Sequence, residues 1–363
     1  MRDASSNGST NDPEASAVGR VAMLSSPRAG SGAGRDEIPR LVKLLAKDGI
    51  QLEMLDDPSS LARWCDELRS QPSSQPSSQP SNQLNDTAPQ QTTPGHTSPS
   101  QTARPRNVLI PAGGDGTITL AASMITSLDT LDIAAPAIDV NSQPYLLPMP
   151  LGTENLLARH YGHRAIASHL RDTLLHGQPT TVDMGIVRRA SGAASPMLTM
   201  VSSGFDAEVV RRVHLKRTGH IRRSSYLGPV VSTLRQYKFP MQTVQAIGDD
   251  GSIEREVKCG WAMVFNLPCY GGGLAIEPDA LGNDGLFDVI TFAGQSVTRG
   301  FRYFAGIHLK RHLKDPDITR FRAKRIRIQA DARVHYQIDG DYISRLPIDI
   351  ELRPNAISLL APR

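Results

Sequence analysis

Apolar and polar positions in the first half of the chain follow two alternating periods. "RVAMLSS" is a short apolar run of strand length, and "DEIPRLVKLLAKDG" sets Ile38, Leu41, Leu44 and Leu45 on one helical face before stopping at Gly49. "IQLEMLD" then reads as a strand and "DPSSLARWCDEL" as a helix with a Ser cap. "NVLIPA", "TITLAASMITSL" and "PYLLPMP" continue the series as strand, helix and strand. Strands and helices in strict alternation predict a parallel sheet covered on both faces. In that architecture ligands sit beyond the carboxyl ends of the strands.

After about residue 180 the pattern changes character. "TTVDMGIVRR", "PMLTMVSSG", "MQTVQAIG", "EVKCGWAMVFNL", "GLFDVITFA", "RIRIQA", "VHYQIDG" and "PIDIELRP" are short β-rich runs separated by Gly, Pro and Asp-Gly turns. They predict a second, mainly antiparallel domain. Helical segments interrupt it at "DAEVVRRVHLKRTG", "SYLGPVVSTLRQY" and "SVTRGFRYFAGIHLKRHL". A two-domain chain places its site in the cleft between the domains.

Composition sharpens this picture at two places. Residues 1–18 hold almost no apolar side chain and predict a disordered tail, and residues 70–105, with the tandem "QPSSQPSSQPSNQ", predict a disordered insertion. Loop closure tolerates such an insertion, because each doubling of loop length adds only ~0.6 kcal/mol. Over all 363 residues, 39% are hydrophobic and 21% charged, which suits a globular protein of two cores. No apolar run approaches the ~20 residues of a membrane span, and the first residues contain no hydrophobic signal core. A cytoplasmic location is therefore expected. Cys65, Cys259 and Cys269 share no metal-type spacing and read as buried thiols. A net charge of +4 leans toward an anionic partner.

The stretch that carries chemistry is GGDGT, residues 113–117, directly after a predicted strand. Bare backbone at a strand-to-helix turn lets amides and the positive helix end approach a phosphate. Asp115 would repel that phosphate directly, but it suits a Mg²⁺ held against it. The stretch is not a P-loop, which needs Lys and Ser/Thr after the last Gly. Taken alone, a glycine-rich turn is equally compatible with ordinary turn chemistry.

GGDGT, then "LPMPLGTENLLARHYG", "SSGFDAEVV", "YGGGLAIEPDALGNDGLFDV" and "QIDGDYI", in that order, resembles the catalytic domain of the diacylglycerol kinase and sphingosine kinase superfamily. The resemblance implies a three-layer α/β nucleotide-binding domain with a mostly parallel sheet over residues 19–179, followed by a mainly antiparallel β-sandwich domain over 180–363 whose last strand can return to the first domain. It implies transfer of the γ-phosphate of ATP to the hydroxyl of a diacylglycerol-like or sphingoid-like lipid alcohol, with Mg²⁺. It places ATP contacts at Ser26, Gly30, Gly113, Gly114, Asp115, Gly116, Thr117, Gly152, Thr153, Glu154 and Asn155. It makes Asp339 the general base, with Asp341 beside it to orient it or raise its pKa, and assigns metal contacts to Asp115, Asp284 and the carbonyls of Leu281 and Leu286. Five positions depart from the family pattern: Ser26 stands for Asn, Ala29 for Ser, Thr119 and Leu120 for a common Asn-Glu, and Leu156 for a common Asp.

Other residues admit plainer readings. His160, His163, His169 and His176 fall close together, but no acidic residue completes a metal set and they read as exposed helix histidines. Asp206 reads as a helix cap or a polar group on the substrate side. The stretch "RRVHLKRTGHIRR" supplies Arg211, Arg212, Lys216, Arg217, Arg222 and Arg223 without an acid, and is the candidate for peripheral attachment to an anionic membrane. No nucleic-acid partner is expected, and a homodimer is left open. Two alternatives stand beside the lipid kinase: a soluble-metabolite kinase of the NAD kinase type, and a nucleotide-binding protein without catalysis.

Overall fold

The computed structural model describes residues 18–25, 33–70, 105–126, 143–215, 227–294 and 296–363. The expected tail up to residue 17 and nearly all of the expected insertion lie outside these residues, as do Ser26, Ala29, Gly30, Lys216, Arg217, Arg222 and Arg223.

The first half runs β1 (Val18–Ser25), α1 (Ala33–Lys47), β2 (Leu52–Leu55), α2 (Pro58–Ser70), β3 (Arg106–Gly113), α3 (Asp115–Ile125), β4 (Tyr145–Leu146), β5 (Met149–Pro150), α4 (Leu156–His160) and α5 (Ala167–His176). The second half runs β6 (Gln178–Arg189), β7 (Ala194–Met197), β8 (Met200–Ser203), α6 (Phe205–Leu215), α7 (Leu227–Gln236), β9 (Gln242–Ile247), β10 (Ile253–Cys259), β11 (Trp261–Phe265), β12 (Phe287–Phe292), α8 (Val297–His308), β13 (Ile318–Ala323), β14 (Arg325–Gln329), β15 (His335–Ile338), β16 (Asp341–Arg345) and β17 (Ile348–Ala361).

Strand alternation builds the three layers of the first half. Val21, Met23, Val108, Ile110 and Ala112 point to one face, where they pack on Leu41 and Leu45 of α1 and Leu170 and Leu174 of α5. Ala22, Leu24 and Leu109 point to the other, against Leu61 and Trp64 of α2, Ile118 and Ala122 of α3, and Leu157 of α4. A strand buried on both faces needs apolar residues at every position, which is why β1 and β3 lack polar alternation. Helix α2 opens on Asp57 rather than on a serine: its carboxylate accepts the Ser60 N–H at 2.7 Å, with Pro58 in the first turn.

The second half does not form a separate pair of sheets. One 11-stranded sheet runs β10-β9-β14-β17-β4-β3-β1-β2, with β5 on β3, β6 on β17 and β7 on β6. Strand β17 joins the two regions. It pairs antiparallel with β14 and along its length with β6, and at Leu359 it lies parallel to Leu146 of β4. The second sheet is antiparallel, with six strands in the order β13-β12-β11-β8-β15-β16. Its inner face (Val201, Val264, Phe287, Tyr336) packs on Val244, Ile326, Ile350 and Leu352 of the large sheet, which makes the sandwich. Its outer face, with Met200, Met263, Ile290 and Phe292, is covered by Phe205 and Val209 of α6 and Tyr303 and Ile307 of α8. A division of the sequence near residue 180 therefore does not divide the sheets. Period-2 patterning marks a strand without saying which sheet it joins.

Candidate active site

The loops that end β3 and β5 lie backbone against backbone. The Leu151 N–H donates to the Gly113 carbonyl at 2.8 Å. A Cβ on Gly152 would fall 2.5 Å from the Gly114 Cα, and a Cβ on Gly113 would fall 2.1 Å from Thr117 Oγ1. Gly152 is bare because the two turns touch each other, and Gly113 because Thr117 of its own turn leaves no room. Asn155, with φ of 51°, closes the second turn through its side chain, accepting the Gly152 N–H at 2.8 Å and donating to the Gly152 carbonyl at 2.7 Å. Gly114 gives α3 no side-chain cap, and Gly116 is exposed, so the amide end of α3 is open.

Asp115 ties these turns together. Its Oδ1 accepts the Leu156 N–H at 2.6 Å, so the first residue of α3 caps the start of α4. Burial pushes its carboxyl up to about 6. The charge of Asp339 adds to that rise, while N–H groups of Leu156, Asn155 and Leu157 oppose it.

The opposite wall is the hairpin between β15 and β16. Asp339 (φ 51°) and Gly340 (φ 91°) both take left-handed backbone, the conformation that a two-residue Asp-Gly turn needs. The Asp339 carboxylate is held by strand β8 and the residues before it. Its Oδ1 accepts the Thr199 N–H at 2.8 Å, the Thr199 hydroxyl at 2.7 Å and the Met200 N–H at 2.9 Å, and its Oδ2 accepts the Leu198 N–H at 2.8 Å. Burial raises its pKa against the pull of these bonds. Behind the turn, Gln337 Oε1 accepts the Gly340 N–H at 2.7 Å, and its Nε2 donates to Ser202 Oγ at 2.9 Å and Asp206 Oδ2 at 3.2 Å. The Ser202 and Tyr270 hydroxyls also donate to Asp206, which is buried and whose carboxyl is raised by that burial.

The two walls meet. The Cys269 thiol is pushed up to about 12, first by burial and then by the charges of Asp115 and Asp339. Asp341 stands on the other side of the turn, where a Cβ on Gly116 would lie 3.8 Å from its Oδ2. The site thus combines two carboxylates of raised pKa with an open helix amide end, the charge pattern that suits a polyphosphate and a divalent cation.

Residues 81–187 match the diacylglycerol kinase catalytic domain, and residues 199–361 match the YegS C-terminal NAD kinase beta sandwich-like domain. The chain belongs to the diacylglycerol kinase superfamily. It is 27% identical over 276 residues to the diacylglycerol kinase of Mycobacterium tuberculosis (strain ATCC 25618 / H37Rv), covering 74% of this chain and 81% of that relative. It is 24% identical to the diacylglycerol kinase of Bacillus subtilis (strain 168), covering 69% of this chain and 77% of the relative. The crystal structure of a diacylglycerol kinase from Bacillus anthracis str. Sterne shares the fold, with a TM-score of 0.61 at 20% identity over 94% of this chain and 96% of that one.

Strand β8 and the residues before it orient Asp339, and Asp341 faces Gly116. At the Asn-Asp-Gly turn, Asp284 pairs with Arg322, which Asp288 shares, and accepts the Leu286 N–H at 3.1 Å. Among the described residues no group of three or more His, Cys, Asp and Glu side chains forms a metal-ligand set. Mg²⁺ fits Asp115 all the same, because this ion is commonly held by one or two carboxylates together with substrate phosphates and water. Thr153 is exposed and Glu154 half-buried on the second turn.

Arg211 and Arg212 are not free cations, since both pair with the buried Glu208 at 2.8 Å and His335 Nδ1 lies 2.9 Å from the same carboxylate. His163 is buried rather than exposed and follows α4, with both ring nitrogens unpartnered among the described residues. Burial therefore lowers its pKa to about 4. Thr199, Gln337 and Cys269 belong to the site and carried no sequence signal as site residues, because their partners are distant in the chain.

Proposed function

We propose that this chain is an ATP-dependent lipid kinase that transfers the γ-phosphate of ATP to the hydroxyl of a diacylglycerol-like or sphingoid-like lipid alcohol. The observation that carries the reading is the approach of the Asp339 hairpin to the amide end of α3, which sets a carboxylate of raised pKa opposite a phosphate-binding turn. Gly114 and Gly116 offer backbone amides to the phosphates from one wall. Asp339 works from the other. Its Oδ1 already accepts three hydrogen bonds and its Oδ2 one, which leaves Oδ2 with capacity for the proton of the attacking hydroxyl. As that proton moves to Oδ2, the lipid oxygen bonds to the γ-phosphorus and the bond from phosphorus to the bridging oxygen breaks, releasing ADP. Mg²⁺ supplies neutralisation of charge on the transferred group, and Asp115 is the side chain suited to share in holding it.

The acceptor lies in a bilayer, so the enzyme works at a membrane surface by reversible attachment. No helix among the described residues is long and apolar enough to cross one. The test is incubation of the purified chain with labelled ATP, Mg²⁺ and a panel of lipid alcohols, with NAD as the soluble alternative, followed by identification of the product. Label in a lipid phosphate is the expected result. Label in the dinucleotide, or ATP binding without transfer to any acceptor, contradicts the reading.

A further inference from the structure

Helix α8 presents a second face that nothing in the described structure covers. Tyr303 and Ile307 fix one side of it in the core against the outer face of the small sheet. Phe301, Ala305 and Leu309 form an i, i+4, i+8 row on another side, with Phe301 41% exposed and Leu309 66% exposed. The row is about 12 Å long at ~1.5 Å per residue. Phe304 lies half-buried beside it, its ring 4.2 Å from that of His308. The helix ends at His308 with Leu309 as its C-cap, and Lys310, with φ of 53°, turns the chain.

Charge follows the same surface. Residues 297–314 contain five Lys and Arg and no Asp or Glu. The nearby acids, Asp315 and Asp317, are already engaged: Arg302 pairs with both, and Arg299 lies 3.6 Å from Asp317. Lys310, Arg311 and Lys314 are exposed and make no ion pair among the described residues. An apolar row with uncompensated cations at its end has the composition of an interfacial anchor. Two large side chains are too few for a stable protein interface, which buries roughly 800 Å² per partner.

We propose that the Phe301–Ala305–Leu309 row of α8, together with Lys310, Arg311 and Lys314, seats this chain on an anionic bilayer. The proposal rests on the lipid kinase reading and gives that reading a place of attachment. It stands in place of Arg211 and Arg212, which are tied to one another through the buried Glu208 rather than free to face a surface. The anchor is rigidly joined to the site: Met200 packs in the same core as Tyr303 and Ile307, and its backbone N–H holds Asp339.

The experiment sediments the full chain with phosphatidylcholine vesicles, with and without phosphatidylglycerol, at low and high salt. Three variants accompany the wild type: Phe301→Gln with Leu309→Gln; Lys310→Gln, Arg311→Gln and Lys314→Gln together; and Lys43→Gln with Lys47→Gln on α1 as a charge control. Thermal melts check that each is folded. Wild type and control should bind only phosphatidylglycerol vesicles and release at high salt, while each α8 variant should bind on the order of tenfold more weakly or worse. Equal binding by wild type and the α8 variants overturns the proposal. So does self-association lost in those variants, without vesicle binding, which would assign the row to a second copy. Transfer to a lipid alcohol dispersed in detergent micelles is measured in parallel. Failure of wild-type transfer with anchor-dependent vesicle binding defeats the kinase reading and leaves the surface standing; normal transfer with unchanged vesicle binding does the reverse.

Discussion

The glycine turns after β3 and β5 and the hairpin between β15 and β16 lie close to each other, Gly116 facing Asp341, yet they are held in different ways. The first wall is fixed by missing side chains: Gly152 approaches Gly114 so closely that a Cβ on Gly152 would not fit. The second is fixed by side chains, with the Asp339 carboxylate taking four hydrogen bonds and Gln337 bracing Gly340 from behind. A wall of backbone offers amides and suits a ligand that brings its own negative charge. A wall built on a buried carboxylate offers a proton acceptor. On the proposed lipid kinase reading, nucleotide binding falls to one side and the chemical step to the other, and substitutions on the two walls should fail differently.

The largest effect is expected at Asp339→Asn. Turnover should fall by the ~10² to 10⁴ of a lost general base while ATP affinity holds, as read by steady-state kinetics and a nucleotide titration. Gly152→Ala should do the opposite. Its Cβ would sit 2.5 Å from the Gly114 Cα, so the turns must part. Overpacking of this kind costs about 1–3 kcal/mol, and both melting temperature and ATP affinity should drop. Unchanged ATP affinity in Gly152→Ala would break the division between the walls.

Gln337→Ala should have a smaller effect on the hairpin side. It takes the acceptor from the Gly340 N–H and a donor from the buried Asp206 carboxylate, a loss of roughly 1–3 kcal/mol. A lower kcat with unchanged ATP affinity is expected, and a change in ATP affinity alone would move Gln337 to the other wall.

The smallest effect concerns pH. The Asp115 carboxyl titrates at about 6 in the folded chain, above the ~3.9 of a free aspartate. Between those values the folded state holds the extra proton. This group's contribution to stability is therefore fully present below about 4 and is lost as pH rises through about 6. Asp115→Asn should make the fall in melting temperature from pH 4 to pH 7 shallower, the raised carboxyl of Asp339 keeping a remainder of the same sign. An unchanged slope would mean that Asp115 is not buried as described.

Much of the first region was legible in the sequence because each strand there is apolar throughout and each helix has one apolar face, so period alone separates them. The second region was legible as strands but not as sheets. Strand β17 pairs with β4, β6 and β14, which lie far apart in sequence, and no local pattern announces such partners. The site shows the same limit. GGDGT and the Asp-Gly hairpin turn stand out by composition, whereas the amides that hold Asp339 come from 139 to 141 positions away. The pairing of Arg211 and Arg212 with Glu208 could have been read, since the three share a helix face at i, i+3 and i+4. A basic run taken from Arg211 onward leaves Glu208 outside it.

The most direct test of the two-walled account is the rate of the first phosphoryl transfer at saturating ATP and lipid, measured side by side for wild type, Gly152→Ala and Asp339→Asn. Saturation hides a binding defect and exposes a chemical one. The account predicts that Gly152→Ala recovers most of the wild-type rate while Asp339→Asn stays slower by about 10² or more. A wild-type rate in Asp339→Asn, or equal losses in both variants, would contradict it.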